Sequence, residues 1–214
     1  MVRLVAGFVT AALVVTACGD SGEVGSESLS ESLSEASAEV VCDSAPPNLD
    51  AKSDEVVEIA VADVVVHVLG CVDYSTAPPA GGDHFGAWQN CGFYTVPLID
   101  EVAVHSLEHG AVWVTHLPGT DSSTLDAMSL LASTESHLLV SPYEGQHSPI
   151  VLTAWERQLA VESWDSPAVA SFLDQYLGRR SPTAPEPGVS CSGAIGDPPD
   201  DATANYGAAL DAMS

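Results

Sequence analysis

Residues 78–116 read PPAGGDHFGAWQNCGFYTVPLIDEVAVHSLEHGAVWVTH, and four of the chain's seven histidines and two of its four tryptophans fall inside them. Pro78, Pro79, Gly81 and Gly82 bar regular structure at the start, so His84 is delivered by a loop. Asp100 to Gly110 has acids at its front and apolar Val102, Val104 and Leu107 behind them, the pattern of one or two helical turns that Gly110 ends. Ala111 to His116, AVWVTH, then alternates as a strand does. Loop, helix and strand follow one another here with the polar side chains gathered among them, which makes this stretch both the turning point of the fold and its candidate site.

Within the helix, His105-Ser106-Leu107-Glu108-His109 sets two imidazoles four residues apart. Such positions are neighbours on one helix face, with Cβ atoms about 5–6 Å apart, so both rings can reach one metal ion. His84 is the third candidate ligand, and His67 or Glu101 can complete the shell; His67 can equally be a satisfied core histidine. Imidazoles suit zinc and copper. The same five residues fit the inverted zincin pattern H-x-x-E-H, in which the histidines hold zinc and Glu108 activates water. That pattern fixes only three positions, and a domain of about 140 residues leaves little room for a substrate cleft. The sequence therefore favours a transition-metal site without catalysis over a structural or protein-interaction module, and both over a zinc-dependent hydrolase.

Outward from this stretch, VVEIAVADVVVHVLG predicts strands over Val57–Val61 and Val64–Leu69. Ser122 or Ser123 caps a helix over Thr124–Ser133 whose apolar face is Leu125, Met128, Leu131 and Ala132, so Met128 reads as core rather than as a copper ligand. Further strands are expected over His137–Pro142, Pro149–Trp155 and Gln158–Glu162, then a helix from Pro167 to Leu177 stopped by Gly178. This order gives an α+β or α/β fold, a single domain over residues 46–193 with one mixed sheet flanked by helices. A thioredoxin-like arrangement is compatible with it, but without a C-x-x-C pair no redox function follows. Beyond Pro182 the Pro/Gly/Asp-rich chain reads as loop, with Cys191 as an anchor and residues 194–214 as a flexible acidic tail.

Residues 1–17 carry Arg3 and then the uncharged run LVAGFVTAALVVTA, a signal-peptide core too short to span a bilayer. Val15-Thr16-Ala17-Cys18 is a lipoprotein box, in which Cys18 becomes the lipidated first residue. The expectation is a protein anchored by lipid to the extracytoplasmic face of the cell membrane. Residues 18–45 are Ser/Glu-rich and lack aromatic and positively charged residues, which predicts a disordered tether with a reach of about 28 Å. Five Lys plus Arg against thirty Asp plus Glu give a net charge of −25, which excludes a nucleic-acid partner. The scarcity of lysine fits a salt-tolerant source with a solvated acidic surface. No protein partner can be named from composition. With Cys18 lipidated, Cys42, Cys71, Cys91 and Cys191 read as two disulfides in any of three pairings. A Cys/His zinc cluster lacks C-x-x-C spacing.

The motifs PP-x-GG-x-H, WQNCG-x-Y and E-x-AVHSLEHGAVW, followed by SPY, TAW and PEPG, resemble a bacterial family known as domain of unknown function 3105, over roughly Val56 to Gly193. Members often carry counterparts of Cys91 and Cys191. The resemblance thus implies a Cys91–Cys191 disulfide, which leaves Cys42 with Cys71. It implies no activity.

Overall fold

The computed structural model describes residues 53–214. The expectations for the signal, Cys18, Cys42 and the Ser/Glu-rich tether lie outside the described residues.

Strand β3 (Val112–His116) is buried at every position and sits inside the sheet because both of its faces are apolar. On one side it pairs in parallel with β4 (Leu138–Pro142), and on the other antiparallel with β5 (Ile150–Ala154). A tight turn with Glu156 at φ 61° returns β5 into antiparallel β6 (Arg157–Val161). Two short strands close the edges, β1 (Val56–Glu58) on β6 and β2 (Gly92–Phe93) on β4, giving one mixed six-stranded sheet of order β1-β6-β5-β3-β4-β2.

Alternation along the strands divides the core. Val112 and Val114 of β3, with Leu138 and Val140 of β4, face a cluster that includes Met128 of α2 (Ser122–Ala132) and Phe172 of α3 (Pro167–Tyr176). Trp113 and Leu139 face the opposite way and meet Ala103, Val104 and Leu107 of α1 (Asp100–Glu108). Helix α1 is covered on its other side as well, where Val102 packs with Phe85 and Ile195. Burial from two sides explains why Glu101 through Leu107 are all buried, more than a surface helix of this length would hide. With α4 (Tyr206–Met213) the fold is α+β, a single sheet with four helices.

Three expectations change. Val64–Leu69 forms no strand: among the described residues its backbone is held by the Val68 N–H to the His84 carbonyl at 2.8 Å, the His84 N–H to the Val66 carbonyl at 3.3 Å and the Val66 N–H to Asp83 Oδ1 at 2.9 Å. Val64 is 77% exposed and Val66 52%, because no neighbouring strand offers these side chains a surface and β-propensity expresses such packing. The cap of α2 is Asp121, whose carboxylate accepts from the Thr124 N–H at 2.9 Å; its bonds with Ser123 and Thr124 pull its pKa down to about 2. Finally, the chain beyond residue 194 is built into the fold. Ile195 is fully buried, the buried Gln89 amide donates to the Ile195 and Ala202 carbonyls at 3.1 Å each, and Tyr206 of α4 stacks on Phe85 at 5.1 Å.

Cys91 and Cys191 are joined, as the family resemblance implied, and close a loop with a sequence separation of 100. Cys71 is also disulfide-bonded.

At the start of α1, burial pushes the Asp100 carboxyl up to about 7; the Tyr143 hydroxyl, which donates to it at 2.9 Å, opposes the rise and Glu101 adds to it. The unfolded chain ionises near 3.9, so stability is lost as pH climbs from there toward 7 and stays lost above. Asp100→Asn is therefore expected to raise the melting temperature at pH 8 by roughly 2–4 °C, the size of a 1 kcal/mol gain in a chain this long, and to change little at pH 4. Thermal denaturation at the two pH values checks this.

Candidate metal centre

Two glycines with positive φ, Gly81 at 134° and Gly82 at 112°, bend the chain before His84. A Cβ on Gly81 would stand 3.0 Å from Val61 and 3.2 Å from the Trp155 ring, so only glycine lets the loop come this close. The bend sets His84 over α1, opposite His105 and Glu108, and the exposed 62–70 segment brings His67 beside them through its pairing with the His84 backbone. One ligand atom from each of His67, His84, His105 and Glu108 lies within 4.8 Å of every other.

The rings are held in specific orientations. His84 Nδ1 donates to the Gly82 carbonyl at 2.8 Å and His105 Nδ1 to the Phe85 carbonyl at 2.7 Å. Carbonyls only accept, so each Nδ1 carries the hydrogen and each Nε2 is turned to Glu108 Oε2, at 3.1 Å from His84 and 3.8 Å from His105. His67 stacks on His105 with ring centroids 5.1 Å apart, and His84 meets both edge-on. Trp155 packs against His84 and Trp88 against His105. Burial lowers the His105 pKa to about 4; its bond to the Phe85 carbonyl works against this, while His84, His109 and His67 add to it. At neutral pH His105 is an uncharged imidazole, the form that binds metal.

Two residues of the expected set stand elsewhere. Helix α1 ends at Glu108, and His109 is its C-cap, with Nδ1 donating to the Ser190 carbonyl at 2.8 Å and Nε2 3.8 Å from Glu186. The His109 ring lies 4.8 Å from His105, yet its second nitrogen faces Glu186 rather than Glu108. Desolvation lowers its pKa, and the Ser190, Glu186 and Glu108 contacts oppose that. Gly110, at φ 89°, turns the chain away where a Cβ would strike the Gly178 carbonyl oxygen at 2.6 Å. Glu101 is buried and its Oε1 accepts from the Val72 N–H at 2.9 Å, so it fastens the chain that leads from His67. The helix contributes an i, i+3 pair, His105 with Glu108, in place of the expected i, i+4 pair. Glu108, expected as a catalytic base or a supporting acceptor, is one of the converging donors.

A family profile described as "Protein of unknown function (DUF3105)" matches residues 67–193. The chain belongs to this family. No curated protein and no solved structure matches it. The DUF3105 span takes in all four converging residues, beginning at His67, as well as the disulfide pair Cys91 and Cys191.

Proposed function

We propose that the protein binds one transition-metal ion, zinc or copper(II), through His67, His84, His105 and Glu108, and holds it without catalysing a reaction on it. The observation that carries this reading is the convergence of two buried imidazoles on a carboxylate, each ring oriented by a carbonyl behind it. Metal-binding histidines characteristically have their second nitrogen tied in this way, which fixes the tautomer and orients the ligand. Tetrahedral zinc with bonds of about 2.0–2.1 Å needs donors about 3.4 Å apart. His84 and Glu108 already stand at 3.1 Å, and the rest of the group needs to close by about an ångström.

Three imidazoles and a carboxylate contain no sulfur, a donor set that suits zinc or copper(II) better than copper(I). Four protein donors would close a tetrahedral shell, whereas catalytic zinc keeps one position for water. The hydrolase reading also needs His105 and His109 as joint ligands, and His109 turns to Ser190 and Glu186. The full-length chain, purified without a histidine tag, is expected to carry or take up one zinc or copper ion, measured by elemental analysis and by titration of the metal-free protein. A tag-free chain that binds neither ion would overturn the proposal and leave the interaction module.

A further inference from the structure

Resting on this metal reading, we infer that His67 is the exchangeable ligand of the site, and that the ion leaves by passing to an acceptor that brings its own imidazole or thiolate to the position His67 vacates. The four donors differ in how they are held. His84 and His105 are 1% and 5% exposed and anchored through Nδ1, and Glu108 rises from the last turn of a buried helix. His67 is exposed, and its ring stacks on His105 and meets His84 edge-on, each with centroids 5.1 Å apart. Among the described residues no carbonyl stands behind its nitrogens to set the ring, as those of Gly82 and Phe85 do for His84 and His105.

The segment that carries His67 is a strap. It is fastened at both ends, by the Ile59 N–H on the Glu156 carbonyl at 2.9 Å and by the Val72 N–H on Glu101 next to the disulfide-bonded Cys71. Between those ends no helix or strand forms, and Val64, Val66 and Leu69 stand in solvent. The middle rests on the His84 loop through the two backbone bonds between His84 and the Val66–Val68 segment and one exposed bond, from the Val66 N–H to Asp83 Oδ1 at 2.9 Å. Val61 and Val65 pack partly buried against the core and, with three hydrogen bonds, hold the middle down, so the strap opens at lower cost than the buried helix and sheet around it. Its fixed ends limit the movement to a lift of the middle, which withdraws His67 and leaves the ion on His84, His105 and Glu108 with one open position. A donor of the acceptor binds there as the bond to His67 breaks. The exchange moves no electrons, and a thiol acceptor gives its proton to solvent as it becomes a thiolate ligand. The ion is then cargo, and the partner is a molecule with nitrogen or sulfur donors able to enter a single coordination position.

The test loads full-length, tag-free protein with zinc and follows its transfer to 4-(2-pyridylazo)resorcinol by stopped-flow absorbance. For the wild type the rate should rise with chelator concentration, as expected for entry of an incoming donor. His67→Ala should still bind one zinc but release it about tenfold faster or more, since variants of one site differ mostly in dissociation rate. Asp83→Ala keeps all four ligands while freeing the strap, and should speed transfer with the stoichiometry unchanged. His67→Ala losing zinc as completely as His105→Ala, or exchanging at the wild-type rate, would overturn the inference. So would Asp83→Ala without faster transfer. A wild-type chain that takes up no zinc would overturn the metal reading beneath it, which is a separate and recognisable failure.

Discussion

A chain carrying His105→Ala is expected to retain no zinc or copper after desalting, whereas His109→Ala keeps one ion per chain. The two residues are four apart on what the sequence presents as one helix face, so the contrast isolates what the fold adds to spacing. His105 is buried, uncharged at neutral pH and oriented by the Phe85 carbonyl toward the other donors. Its loss leaves an incomplete shell, and affinity should fall by about a thousandfold or more, roughly 4 kcal/mol at 1.4 kcal/mol per tenfold. Truncation also strands the buried Phe85 carbonyl, at a cost of about 1–3 kcal/mol in stability, so circular dichroism must accompany the measurement. His109→Ala removes a bond to Ser190 and a contact with Glu186, neither of which reaches the ion. Glu108→Gln replaces an anionic donor with a neutral amide and should weaken binding by more than about a hundredfold, beyond the upper end for a residue that merely orients a ligand. Titration and elemental analysis separate these outcomes. Retention by His105→Ala, or loss by His109→Ala together with a hydrolytic activity that Glu108→Gln abolishes, would restore the H-x-x-E-H enzyme.

The reason His109 stands outside the converging group lies in its side-chain partners. His109 keeps helical backbone and its N–H still reaches the His105 carbonyl at 3.4 Å, so the two rings are neighbours as the spacing predicts, 4.8 Å apart; what turns its second nitrogen to Glu186 is the Nδ1–H bond to the Ser190 carbonyl, supplied by a segment 81 residues further on. Helix α1 and strand β3 were legible because their signals are short-range: acids at the front, glycine at the end, alternation after it. Met128 was legible for the same reason, as one member of a helical face. The meeting of His67 with His84 was legible only as one of two ways to complete the shell, with Glu101 the other, since it depends on backbone pairing between two irregular segments and the valines around His67 suggested a strand. The order in the last 20 or so residues was not legible, because single polar side chains substitute there for periodicity: Gln89 and Asn90 hold the Ile195, Gly196 and Ala202 carbonyls of a segment whose composition reads as loop. Conversely, the Cys91–Cys191 pairing came from the family resemblance; counting cysteines leaves three pairings open.

Removing that disulfide should have the largest effect on stability. With both Cys91 and Cys191 changed to serine, melting is expected to drop by roughly 5–15 °C. The chain-entropy model gives a loop of about 100 residues up to about 4.7 kcal/mol, less any strain in the native state. Changing both residues avoids a leftover thiol that could exchange with the disulfide at Cys71. Beyond the global loss, a local one is expected at the end of α1. The Glu186 N–H donates to the Glu108 carbonyl at 3.0 Å and the Gly188 N–H to the His109 carbonyl at 2.8 Å, so residues 186–188 satisfy groups that the end of a helix leaves open. Cys191, held to Cys91 by the disulfide and by the Cys91 N–H bond to its carbonyl at 2.7 Å, keeps that segment in place. In the double variant the Glu186 and Gly188 amides should exchange with solvent faster by a larger factor than the buried amides of β3 and β5, because the segment can then lift before the sheet opens. Hydrogen exchange read residue by residue distinguishes this from uniform destabilisation, in which the amides limited by global unfolding would all accelerate together. A double variant that melts within a degree of the wild type, with Glu186 and Gly188 as protected as before, would mean that hydrogen bonding and packing alone hold the segment on the helix end.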